Sequence, residues 1–139
     1  MTEFSRDVLG KKLTQCVEAL ALLKEDRKIG TLGAFRADAR LYHSVCFRFV
    51  TMIEALFDVG QVILSSKGKH ATSEESMSTL LAREGFISDD LAQKFSRMYG
   101  FRNRLVHAYG TLDDAKVAEY LANHLSDVEE LLKVFQNIK

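Results

Sequence analysis

Apolar residues along this chain recur at steps of three and four and nowhere alternate over a useful length, which is the period of helices buried along one side. From Asp7 to about Lys28 the stripe is Leu9, Leu13, Cys16, Leu20 and Leu23, one face of a helix. Arg27-Lys28-Ile29-Gly30 then supplies the basic residues and the glycine that commonly end one. The next stripe is longer: Leu32, Phe35, Ala39, Tyr42, Cys46, Phe49, Ile53, Leu56, Gly60 and Ile63. With Thr31 as N-cap, it predicts one helix of about thirty residues. A second apolar line runs along the same segment through Phe47, Val50, Phe57 and Leu64. Two apolar faces exceed what one bundle core needs, so the second is a candidate subunit interface.

Beyond the polar loop Ser65 to Lys69, Thr72-Ser73-Glu74-Glu75 reads as a capping box, with Thr72 as the cap and Glu75 reaching back. A short helix with Met77, Leu80 and Leu81 follows and stops at Gly85. Ser88-Asp89-Asp90 opens the next helix with a cap and two acids where the macrodipole favours them. That helix carries Leu91, Phe95, Met98, Leu105 and Val106 and ends near Tyr109-Gly110. Gly100 interrupts it at a cost of about 1 kcal/mol relative to Ala. Thr111-Leu112-Asp113-Asp114 is a turn and a new cap. The last helix has Val117, Leu121, His124, Val128, Leu131 and Phe135 on its stripe. The expected fold is all-α: an up-down antiparallel bundle of four main helices plus one short helix, as a single domain over residues 1–139.

Composition adds limits. Of 139 residues, 47% are hydrophobic, enough for a core and too many for a disordered chain. Proline is absent, so long uninterrupted helices are possible. The formal net charge of zero excludes the global basic field of a non-specific nucleic-acid binder, so any RNA contact must come from a local patch. Cys16 and Cys46 fall on apolar stripes and read as buried thiols. No run approaches ~18 apolar residues and the charged N-terminus has no apolar signal region, so a cytoplasmic protein without a membrane span is expected.

The patch exists. Lys94 to Tyr109 holds Lys94, Arg97, Arg102, Arg104 and His107 and no acid, whereas Gly110 to Lys139 holds six acids against three basic residues. RNA carries its own nucleophile, the 2′-hydroxyl. One group that moves a proton and another that stabilises phosphate charge suffice to cut it without metal. His107 suits the first task because its ordinary pKa lies near neutrality. Arg102 suits the second because its fork of donors matches phosphate oxygens and does not deprotonate. Five residues separate them, about 140° around a helix. The pair therefore needs a frayed helix end or a second subunit to converge. Asn103 shares a face with His107 and can orient the imidazole or bind substrate. Arg104 and Arg97 are candidates for substrate contact; Arg104 reads equally as solvated charge, whereas Arg97 and Lys94 read more readily as solvated or rim residues.

Other polar residues carry plainer readings. His124 lies on an apolar stripe, as a satisfied core histidine does. Asp58 is either a buried contact to the motif or an exposed acid. Tyr42, Tyr99 and Tyr120 read as core or interface, and His43 and His70 belong to no constellation.

The stretch Arg97-Met98-Tyr99-Gly100-Phe101-Arg102-Asn103-Arg104-Leu105-Val106-His107-Ala108-Tyr109 resembles the signature of the HepT family of HEPN proteins: Arg, four residues, His, one residue, Tyr. Leu80-Leu81-Ala82-Arg83-Glu84-Gly85-Phe86-Ile87-Ser88 resembles that family's approach to the motif helix. The resemblance spans essentially the whole chain and is strongest from about Thr72 to Asp113. It implies a metal-independent ribonuclease toxin, with no cofactor, belonging to a type VII toxin–antitoxin pair. It implies a partner of the MntA kind, a minimal nucleotidyltransferase that transfers AMP from ATP to the motif tyrosine, here Tyr109. It also implies a homodimer whose two motifs face one cleft. AMP beside Arg102 and His107 would fill a cationic site with negative phosphate and block RNA. The alternative is a non-catalytic module that binds substrate or nucleotide for a nucleotidyltransferase, with the chemistry in the other chain.

Overall fold

The computed structural model describes residues 1–107 and 113–138, apart from the side chains of Glu74 and Glu75. Among the described residues there are seven helices and no strand. They are α1 (Glu3–Arg27), α2 (Leu32–Ala37), α3 (Ala39–Ser66), α4 (Glu74–Arg83), α5 (Asp89–His107), α6 (Asp114–Asn123) and α7 (Leu125–Gln136).

The expected second helix is two helices. Thr31 caps α2 as anticipated, its side chain accepting from the Ala34 amide. The chain then turns extended at Asp38 (φ −140°, ψ 97°), whose carboxylate accepts from the Arg40 and Leu41 amides and starts α3. An aspartate that can bond its own downstream amides competes with helix continuation. The apolar stripe runs straight across this break and does not reveal it. The expected last helix likewise divides at His124 (φ −119°, ψ 4°) into α6 and α7, with Asp113 as the α6 cap. Ahead of α4 the cap is Ser73 rather than Thr72, and Ser76 completes a capping box with it; the Glu75 side chain, expected in that role, lies outside what is described. Gly85, at φ +81°, ends the segment as expected, in a conformation that favours glycine.

α3 is the centre of the bundle. Lys12, Cys16 and Asp26 of α1 meet Asp58, Met52 and Arg48 of α3 respectively, so the two helices run antiparallel. Phe95, Phe101 and Arg102 of α5 meet Phe57, Phe49 and Glu54, so α5 is antiparallel to α3 as well. Lys24 of α1 reaches Glu129 of α7, which closes the ring. α3 is long and apolar enough to cross a membrane. Its apolar surface is instead spent on the neighbouring helices: Val45, Phe49, Met52, Ile53, Leu56, Val59, Ile63 and Leu64 are fully buried. Burying each such side chain contributes about 1.5–3 kcal/mol, against about 0–1 kcal/mol for an exposed ion pair, so this core dominates the fold.

Gly60 lets α4 approach α3: a Cβ there would lie 2.6 Å from the Met77 sulfur and 3.3 Å from Leu81 Cδ1. The second apolar line of α3 is largely used inside the chain. Phe57 stacks on Phe95 at 4.7 Å, and Leu64 is fully buried. Val50 is half-buried and only Phe47, 68% exposed, faces outward. The spare face is therefore much shorter than the sequence pattern suggests.

Candidate functional site

Ser88 caps the amino end of α5 by accepting from the Leu91 amide at 3.1 Å. Leu91, Phe95, Met98 and Phe101 anchor the helix to the core. Leu105 and Val106, expected on that face, are half-buried. Gly100 does not interrupt α5, which is continuous through to His107.

These anchors fix where each polar residue points. Arg102 faces α3. Its guanidinium donates to Glu54 Oε1 at 2.8 Å and to Asn103 Oδ1 at 3.1 Å, and its buried Nε has no partner. The Arg102 side chain is 17% exposed, so the guanidinium is held at the bundle surface by its two acceptors. Asn103 therefore spends its carbonyl oxygen on Arg102, and among the described residues no hydrogen bond joins it to His107. His107 is exposed, in the last turn of α5. Arg97 and Arg104 lie on a different side of α5 from Arg102 and line a cleft against α6 and α7. Tyr109 lies outside the described residues.

The patch is acid-free only along the sequence. Glu54 arrives from α3 to neutralise Arg102. Lys94 is tied to Glu130 at 2.9 Å and to Asp90 at 3.2 Å, and these bonds, that to Glu130 first, push its pKa up. Arg97, Arg104 and His107 make no ion pair among the described residues. Of the two readings of Asp58 the exposed acid holds, paired with Lys12 at 2.9 Å; the acid that contacts the motif is Glu54, one turn earlier on α3. Glu54 sits between Ile53 and Ala55 in an apolar run. That setting was the available sequence signal.

The remaining polar residues settle plainly. His124 is satisfied between Asp127 and Glu119 and tilts over the Tyr120 ring, but it is half-buried at a helix junction rather than in the core. Cys16 is buried as expected, whereas Cys46 is only half-buried; desolvation pushes the Cys16 thiol up to about 12 and the Cys46 thiol up to about 11. Among the described residues no group of three or more His, Cys, Asp or Glu side chains converges on a metal position. The carboxyl end of α5 offers an exposed imidazole for proton transfer and an immobilised guanidinium for phosphate, but α5 stays helical through His107, so the two project about 140° apart and no fray within the chain brings them together.

Comparison with known proteins agrees with this frame. The family model described as "Ribonuclease HepT-like" matches residues 16–135. The chain is 31% identical over 109 residues to an mRNA nuclease HepT of Shewanella oneidensis, covering 77% of this chain and 81% of that one. It is 29% identical over 135 residues to an Archaeoglobus fulgidus protein described as a candidate RNase, covering 93% and 89%. Its fold superimposes on a solved tri-AMPylated Shewanella oneidensis HEPN toxin in complex with an MNT antitoxin, with a TM-score of 0.85 at 24% identity, covering 99% of this chain and 100% of that one. A solved MntA–HepT toxin–antitoxin variant gives a TM-score of 0.84 at 25% identity, covering 95% and 99%. On this evidence the chain belongs to the HepT-like ribonuclease family.

Proposed function

We propose that the chain is a metal-independent endoribonuclease toxin of a toxin–antitoxin pair, in which Arg102 and His107 cut RNA and adenylylation of Tyr109 silences the cut. The observation that carries this is the placement of a held guanidinium and an exposed imidazole at one end of α5. His107 moves the proton between the 2′-hydroxyl and the leaving oxygen, and Arg102 stabilises the charge on the phosphate. For that, RNA phosphate must take the Arg102 donors from Glu54 in part. Asn103 orients Arg102, and Arg104 and Arg97 contact the RNA backbone beyond the scissile position.

The relatives' descriptions support the pairing with a nucleotidyltransferase antitoxin: a HEPN toxin of similar fold is AMPylated and bound to an MNT protein. AMP on Tyr109, two residues past His107, would set phosphate against the cationic end of α5. The protein would act in the cytoplasm, as one domain, on transfer or messenger RNA. Homodimerisation is supported by the α1–α3 groove, where exposed Phe47 and Leu22 lie beside Glu54, so a second copy seated there would border the Arg102 site.

One observation favours a second reading. Arg102 is already neutralised by Glu54 within the chain, as it would be if it were a structural tie in a non-catalytic partner of the nucleotidyltransferase. Co-expression separates the two. Expression alone arrests growth, and the cognate nucleotidyltransferase relieves the arrest while adding AMP masses to Tyr109. A Tyr109→Phe chain stays toxic and unmodified. Harmless expression alone, or AMP placed elsewhere, contradicts the proposal.

A further inference from the structure

A second group of cations lies on the other side of α5. Arg97, Arg104 and Lys116 line a cleft of about 330 Å³ between α5 and the α6–α7 pair. Phe101 and Tyr120 form its floor, stacked with centroids 4.0 Å apart and planes within 3°. Two acids also border it, and both are engaged. Glu119 Oε1 is 3.1 Å from His124 Nε2, and Asp127 Oδ2 is 3.2 Å from His124 Nδ1. Asp127 Oδ1 also lies 4.0 Å from Lys94 Nζ. Arg97, Arg104 and Lys116 make no ion pair among the described residues. Three cations therefore border the cleft against two carboxylates that hydrogen-bond His124, so its lining carries a positive excess.

The geometry points to a subsite for backbone phosphates of the RNA strand, separate from the cutting pair, with Lys116 as its third member. This rests on the ribonuclease reading and extends it. Two guanidinium forks and one ammonium suit phosphate oxygens. The two rings beneath are buried against each other and the core, so they offer no face for a base to stack on. The cleft therefore contacts phosphate and not sequence. Along α5, Arg104 precedes His107 by about 4.5 Å of axial rise and Arg97 by about 15 Å. A strand leaving the cutting position along the helix meets Arg104 first and Arg97 later, with Lys116 across the cleft.

The test measures binding of a labelled, mixed-sequence single-stranded RNA to the full-length His107→Ala chain over a salt series. Adding Lys116→Ala weakens binding severalfold at low salt and makes the slope of log K against log salt shallower by about 0.7, the single-strand value for one lost phosphate contact. Lys116→Arg restores the slope. Lys11→Ala, on the exposed side of α1, leaves it unchanged. An unchanged slope for Lys116→Ala, or an equal loss for Lys11→Ala, overturns the subsite. So does an unchanged RNA slope with loss of ATP binding or of the nucleotidyltransferase complex, which would make the cleft a free-nucleotide or protein surface. RNA cleavage by the wild-type chain with an unchanged Lys116→Ala slope defeats the subsite alone. Absence of both cleavage and RNA binding defeats the ribonuclease reading with it.

Discussion

Arg102 and Glu54 stand 48 positions apart in sequence and 2.8 Å apart in space, joining the motif helix α5 to the central helix α3. Glu54 both positions the guanidinium and competes with phosphate for it. Which effect prevails is measurable. Glu54→Ala lets a largely enclosed Arg102 side chain swing away and lowers RNA cleavage at least tenfold, about 1.4 kcal/mol in the barrier. Glu54→Gln keeps the acceptor oxygen and removes the charge, so it keeps most of the cleavage rate and binds RNA more tightly. Steady-state kinetics on a labelled RNA read both. Wild-type rates from Glu54→Ala would make the contact incidental.

Gly60 sets the distance between α3 and α4. A Val there meets the Met77 sulfur and Leu81 inside a filled core. The variant is expected to lose about 2 kcal/mol, the usual scale of overpacking. Urea unfolding followed by circular dichroism checks it. An unchanged midpoint would show that α4 moves off without cost.

The Cys16 thiol links stability to alkaline pH. Burial raises it from 9.0 to about 12. Below pH 9 the thiol is neutral both folded and unfolded, so it imposes no penalty. As pH rises from 9.0 towards about 12 the unfolded chain gains a thiolate that the folded chain resists, and stability falls. Denaturation midpoints across pH 7 to 11 are expected to drop more steeply for the wild type than for Cys16→Ala. Parallel curves would remove Cys16 from the account. In the folded protein Cys16 should also resist Ellman's reagent at pH 8.

Much of this fold is legible in the chain, because burial on one side of a helix writes itself as a stripe. Leu9, Cys16, Leu20 and Leu23 are buried where the spacing puts them, and Thr31 and Gly85 punctuate the chain where their chemistry says. What the stripe hides is a break that keeps register. Phe35 and Tyr42 still pack together across Asp38, and Leu121 and Val128 are both buried on either side of His124. Capping side chains decide such breaks, and they carry no periodicity.

The site is legible in a different proportion. Arg102 and His107 are proposed from residue type and spacing. Their electrostatic setting is not, since the acids that neutralise Arg102 and Lys94 come mostly from other helices. A charge count along the sequence sees an acid-free patch where the fold makes ion pairs. Lys116 is hidden for the same reason. It follows the cap Asp113 in an acid-rich stretch and joins Arg97 and Arg104 only when α6 packs back towards α5.

The central claim is that His107 and Arg102 perform the cut with no metal. Its most direct measurement is cleavage of purified RNA by the purified chain in excess EDTA, with His107→Ala and Arg102→Ala alongside. The account predicts fragments from the wild type and at least a hundredfold less from His107→Ala, the usual scale for losing a general acid–base group. Intact RNA with the wild type, or equal cutting by His107→Ala, would contradict it.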